Sequence, residues 1–179
     1  MNVIPRDEAG LTLTELIVYV LVSALFAGLL AALFINGMQA NAQTTDRDSA
    51  TGRASVISTS LFGSIRNALS FTVKDGGNSV VAIVATGATG WECRAWSIVG
   101  DELRYRAQPG AIDTAMAPTW GALSGGVTPT LPGPAAFETT GARALAVGLD
   151  IAGEDEIVSL EDGVTAQAVT DEIGTPTCW

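Results

Sequence analysis

The spacing of hydrophobic and polar residues changes three times along this chain. Residues 1–10, MNVIPRDEAG, are polar, and Pro5, Arg6, Asp7 and Glu8 keep them out of any apolar environment. From Leu11 to Ile35 the chain is apolar on every helical face, and Glu15 is its only charge. Polar residues then return at Asn36, Gln39, Asn41, Gln43, Thr44 and Thr45. Beyond them Ile57, Leu61, Ile65 and Leu69 recur every fourth residue, with Ala54 and Phe62 beside them. That is one apolar stripe of an amphipathic helix, with Arg53, Ser60, Ser64 and Asn67 among the other positions. No proline falls between Pro5 and Pro109, so the pattern predicts one long or gently broken helix from Thr14 to about Ser70. Gly37 and Gly52 are its expected weak points.

The period then shortens to two. Ser79 to Thr86 is a β-branched run that follows the turn residues Asp75-Gly76-Gly77-Asn78. Trp91–Val99 and Glu102–Ala107 flank Gly100-Asp101, which predicts a hairpin with a two-residue turn. On its second strand Leu103, Tyr105 and Ala107 take one face, and Arg104 and Arg106 the other. Residues 109–134 are rich in Gly, Pro, Thr and Ala around Trp120, which predicts a long irregular surface excursion. Strand character resumes in Arg143–Ile151 and Gly163–Val169. The expected fold class is α+β, a long N-terminal helix packed on one antiparallel sheet of about four to six strands. The domains are a leader at 1–10, an apolar helical half at 11–35, an amphipathic half at 36–70 and a β-rich head at 71–179.

Composition narrows the function. Roughly 25 helical residues at about 1.5 Å each reach about 37 Å, enough to cross a bilayer's hydrocarbon core. The net charge of −10 disfavours a nucleic-acid footprint across the chain, leaving only a local patch open. The absence of histidine removes the commonest general base and metal ligand. No nucleophile–base arrangement or phosphate-binding loop is present, so neither an enzyme, a cofactor nor a metal is expected. The acidic stretches Glu154-Asp155-Glu156 and Glu161-Asp162 lack calcium-loop spacing and read as solvated faces. Arg94, Arg104 and Arg106 gather on the predicted hairpin, as a soluble outer face or a contact for DNA or a partner. Cys93 and Cys178 both lie beyond the apolar run, hence on one side of any membrane it spans. An oxidising compartment favours a disulfide between them, and two separate buried thiols is the other reading.

The stretch Gly10-Leu11-Thr12-Leu13-Thr14-Glu15-Leu16 resembles the processing signal of type IV pilins and type II secretion pseudopilins. Gly10, Leu11 and Glu15 match the glycine, the hydrophobic residue and the glutamate of that pattern. Leu11 stands where phenylalanine is usual, and Arg6 in the leader is outnumbered by Asp7 and Glu8, whereas such leaders tend to be basic. The resemblance implies cleavage by a prepilin peptidase between Gly10 and Leu11, and N-methylation at Leu11. It also implies a role for Glu15 in filament assembly, by pairing with a neighbouring subunit's new amino terminus. Thr12-Leu13-Thr14-Glu15 is also a capping box, and an uncleaved anchor is the plainer alternative. The helix-to-strand order, Trp91, Trp96 and Leu103-Arg104-Tyr105-Arg106 resemble PilW-like minor pilins and J-type pseudopilins. The expected partners are other pilin subunits, the prepilin peptidase, the assembly machinery and the membrane. The expected location is the inner membrane, single-pass with the head outside, and then a filament. The alternative function is an anchored adhesin or DNA-binding module using residues 109–134.

Overall fold

The computed structural model describes residues 12–87, 90–154, 156–169 and 177–179. The chain divides into two compact units, Met1–Ala42 and Gln43–Trp179. A single helix, α1 (Leu13–Arg66), contributes to both. It begins where Thr12 takes the N-cap position. The Glu15 amide donates to Thr12 Oγ1 at 3.4 Å, and the Leu16 amide to the Thr12 carbonyl at 3.1 Å. It runs unbroken through Gly37 and Gly52, the positions where propensity is weakest. Near Gly52 the packed face at Ala50 and Ala54 offsets the cost of about 1 kcal/mol per glycine.

In the first unit every described helical residue is exposed, Leu13 at 76% of its full surface. Sixteen large apolar side chains from Leu13 to Met38 face outward on all sides of this segment. An apolar circumference of this length is not compatible with water, and the helix is long and apolar enough to cross a membrane.

The second unit is α+β, with the remainder of α1 packed against two antiparallel sheets. The first is a five-stranded meander in sequence order: β1 (Ala68–Lys74), β2 (Ser79–Ala85), β3 (Trp91–Val99), β4 (Glu102–Gln108) and β5 (Gly121–Gly125). The second contains β6 (Val127–Pro129), β7 (Phe137–Gly141), β8 (Ala144–Ala152) and β9 (Ile157–Thr165). β8 is its centre: β9 pairs along one edge, while β6 and β7 share the other end to end. The expected single sheet is therefore two. Gly126, with φ of +66°, makes the switch from β5 to β6, and a Cβ there would lie 3.1 Å from the Ala152 carbonyl oxygen.

The helix ends four residues earlier than the stripe predicts. Leu69 continues the i+4 spacing from Ile65, yet Ala68–Lys74 leaves the helix to pair with β2, from Ala68 opposite Val84 to Lys74 opposite Ser79. Asn67 closes α1 by donating from Nδ2 to the Gly63 carbonyl at 2.9 Å. Leu69 then packs against the second face of the sheet, away from the helix. The excursion at 109–134 is likewise structured. Thr114–Thr119 forms a 3-10 helix, and β5 and β6 follow it directly.

Two cores result because β2 is covered on both faces. Val80, Ala82 and Val84 face α1 with Trp96, Leu103, Ile57, Leu61 and Ile65, and the inner side chains of the second sheet close the same core. Val81 and Ile83 face the other way with Cys93, Ala95, Ile112, Ala117, Trp120 and Cys178. Leu61 is fully buried at the centre of the larger core. Leu61→Ala is therefore expected to cost the head about 2–5 kcal/mol of unfolding free energy. Denaturant titration of the full chain in nonionic detergent, followed by circular dichroism, measures it. A loss below about 0.5 kcal/mol would mean that the stripe is not packed as described.

Candidate functional site

Glu15 occupies the third helical position of α1, in the first turn, where a carboxylate complements the positive end of the helix dipole. Around it Leu13, Leu16, Ile17, Val18 and Tyr19 are all exposed. It is the sole charged residue from Leu11 to Thr45. No cation on this stretch of sequence can compensate it, so a partner for it must come from elsewhere. Gly10 and Leu11, the expected cleavage and methylation positions, lie outside the described residues.

In the second unit the polar residues beside the apolar stripe turn out to be the helix's attachments to the sheets. Asp46 lies one turn before the buried Ala50. Its Oδ1 accepts from the Glu154 amide at 2.7 Å and its Oδ2 from the Glu156 amide at 3.1 Å. Gly153 makes room for this carboxylate, since a Cβ there would stand 2.6 Å from both oxygens. The acidic turn thus uses backbone N–H groups to hold an anion of its own chain. Arg53 donates to the Ala152 carbonyl at 2.7 Å and to that of Gly125 at 3.5 Å, joining the ends of both sheets to the helix.

Two further attachments lie nearer the helix end. Trp96 Nε1 donates to Ser60 Oγ at 3.2 Å, and Arg94 donates from NH1 to the buried Ser64 Oγ at 2.9 Å. Arg94 also pairs with Glu92 at 2.5 Å. Tyr105 lies opposite Trp96 across the hairpin with ring centroids 5.3 Å apart, and burial pushes its phenol above the ordinary tyrosine range.

The three hairpin arginines do not form one basic patch. Arg94 lies on the helix side of the first sheet, and Arg104 and Arg106 on the other. Arg104 is consumed structurally, donating to the carbonyls of Pro118 at 2.9 Å and Trp120 at 2.8 Å and pairing with Glu102. Arg106 stays on the surface, donating from Nε to Gln108 Oε1 at 3.1 Å, beside a shallow hollow of about 230 Å³ next to Met116 and Trp120.

The segment from Ile112 to Trp120 straps the second face of the sheet, with Ile112, Ala117 and Trp120 buried. Cys93 and Cys178 are joined by a disulfide beneath it, with their Cα atoms 5.4 Å apart. The Ile112 amide donates to the Cys178 carbonyl at 3.0 Å, so the strap and the C-terminal residues hold each other. The excursion at 109–134 is therefore pinned to the sheet by a few buried anchors, while most of its residues stay exposed.

Sequence reasoning marked Glu15 and the cysteines and missed Asp46, Arg53, Ser60 and Ser64. One signal was present for Asp46: it extends the apolar stripe back by one turn from Ala50 and Ala54. Among the described residues no cluster of three or more His, Cys, Asp or Glu side chains is placed to hold a metal ion. What the arrangement offers chemically is attachment, through an apolar helix with one carboxylate and a covalently stapled head. Comparison with protein-family models, with curated proteins and with solved structures finds no match to this chain.

The disulfide closes a loop across a sequence separation of 85 residues. In the chain-entropy account such a loop stabilises by about 4.5 kcal/mol, so Cys178→Ser is expected to lower the melting temperature by about 10–20 °C. Reductant should do the same to the wild-type chain and leave the variant unmoved. Calorimetry on both proteins with and without reductant measures the effect.

Proposed function

We propose that this chain is a pilin-like structural subunit of the minor kind. It is processed by a prepilin peptidase between Gly10 and Leu11, N-methylated at Leu11, and assembled with other pilin subunits into a type IV pilus or a related secretion or competence pseudopilus. Before assembly it is a single-pass protein of the inner membrane with its head outside.

The observation that carries this reading is Glu15. Plain anchoring needs an apolar helix, and accounts for a first-turn carboxylate only through capping and the helix dipole. On insertion scales such a group costs up to about 3 kcal/mol at mid-bilayer, and less near a helix end. Cleavage after Gly10 would create a cation at Leu11. In an apolar setting, a carboxylate on one subunit and an amine on the next relieve each other and set the register between them. Sequence order supports the same reading, since a leader ending in glycine, the glutamate spacing, an unbroken helix and then a strand-rich head occur in turn.

The alternative, an adhesin or DNA-binding module, would have to use the exposed residues of 109–134, since Ile112, Ala117 and Trp120 face inward. It gains no basic patch from Arg94, Arg104 and Arg106. The assembly machinery, the membrane and neighbouring pilins remain the proposed partners, with nucleic acid disfavoured.

Two outcomes are expected. Protein recovered from a host that expresses a prepilin peptidase should begin at a methylated Leu11 by intact-mass analysis; a chain still beginning at Met1 would refute the proposal. Glu15→Ala should be cleaved normally yet enter filaments at least about tenfold less well, equivalent to about 1.4 kcal/mol. Immunoblots of sheared filaments against whole cells measure the ratio, and normal incorporation would remove the pairing argument.

A further inference from the structure

Among the described residues the second sheet ends on β9, a nine-residue strand paired only along its β8 side. The turn between them closes with the Gly153 amide donating to the Glu156 carbonyl at 2.6 Å. Alternation from that pair turns the backbone groups of Ile157, Ser159, Glu161 and Gly163 away from β8. Gly148 and Ala152 on β8 keep the same alternation, directing their amides to Ala136 and Gly126 on the opposite side. On the open edge the Gly163 amide is taken by its own neighbour, Asp162 Oδ1, at 2.7 Å. The strand's core-facing residues Val158 and Leu160 are only partly buried, although they pack against the main core. A further strand on this side would finish covering them.

Charge decides what such a strand can be. Asp150, Glu154, Glu156, Glu161 and Asp162 all belong to the β8–β9 hairpin, and no lysine or arginine occurs after Arg143. A second copy of the chain would set this acidic edge against an identical one, an arrangement that opposes self-pairing. The same charges favour a basic strand.

We propose that the open edge of β9 takes an extended, lysine- or arginine-bearing segment of another protein by strand addition. Backbone hydrogen bonds at Ser159 and Glu161 supply the attachment, and carboxylates on either side of them select the partner. The inference concerns the head alone and does not rest on processing at Gly10 or on filament assembly.

The test uses the full chain in nonionic detergent and a capped, fluorescent peptide of alternating valine and lysine matched to β9 in length. An equivalent peptide of alternating valine and glutamate is the control. Ser159→Pro removes an amide that faces away from β8 and leaves the backbone ladder and the charge intact; the bond from Ser159 Oγ to Asp150 Oδ1 at 2.6 Å that it also removes is lost equally in Ser159→Ala. It should weaken the lysine peptide at least about tenfold in fluorescence anisotropy, while Ser159→Ala binds as the wild type does. If Ser159→Pro lowers the melting temperature, Glu161→Lys tests the same edge, and it should weaken the lysine peptide by a similar factor while gaining the glutamate peptide. Failure of the wild type to bind the lysine peptide would overturn the proposal. Equal binding of both peptides, or equal binding by Ser159→Pro in a folded protein, would overturn it too. So would self-association of the wild type that Ser159→Pro abolishes, since a second copy would then own the edge.

Discussion

The head depends on one stripe of side chains: Ala50, Ala54, Ile57, Leu61 and Ile65 on the second half of α1, all buried. Five small or aliphatic groups at helical spacing provide the surface against which both sheets bury their inner faces together. Val80, Trp96 and Leu103 arrive from the first sheet, and Val127, Phe137, Leu145 and Leu149 from the second. Each fully buried Leu, Ile or Phe contributes on the order of 1.5–3 kcal/mol relative to exposure. Without the stripe, two short antiparallel sheets would each leave an apolar face in water.

Apolar packing alone does not set where along the stripe the sheets rest. Hydrogen bonds at its two ends do. Asp46 and Arg53 tie the N-terminal end to the β8–β9 turn and to the end of β5. Ser60 and Ser64 receive Trp96 and Arg94 near the other. Shifting the helix by one turn would break these bonds, each worth on the order of 0.5–1.5 kcal/mol net and about 1.5–3 where a charged group takes part. On the far side of the first sheet the disulfide and the 112–120 strap do comparable work for the face that α1 does not cover.

How much of this was legible depends on whether the signal was local. The Trp91–Val99 and Glu102–Gln108 hairpin was visible because Gly100, with φ of +64°, marks its turn in the sequence itself. β2 was visible because a strand buried on both faces is apolar at nearly every position. By contrast β1 was hidden, since Leu69 keeps helical spacing past the true helix end and only pairing with β2 draws it away. β5, β6 and β7 are short and rich in Gly, Thr and Pro, and exist because edges of β4 and β8 were available to them. The candidate site divides in the same manner. Glu15 stands out in any sequence pattern, whereas nothing near Asp46 singles it out and the 154–156 run reads as a solvated face. Their interaction spans more than 100 residues and left no mark at either end.

By itself the sequence determined the long helix, its change from apolar all round to apolar on one stripe, the lone carboxylate at position 15, and the strand-rich character of the rest of the chain. These are consequences of spacing and of transfer free energy, which act on each segment separately. Only the tertiary structure decided that there are two sheets, that β8 shares one edge between two strands, that the proline-rich segment is a strap over a second core, and that Cys93 meets Cys178. Each of those depends on backbone groups and apolar faces finding partners far away in the chain, and a hydrogen-bond donor or half-covered valine does not record in its own neighbourhood which partner will complete it.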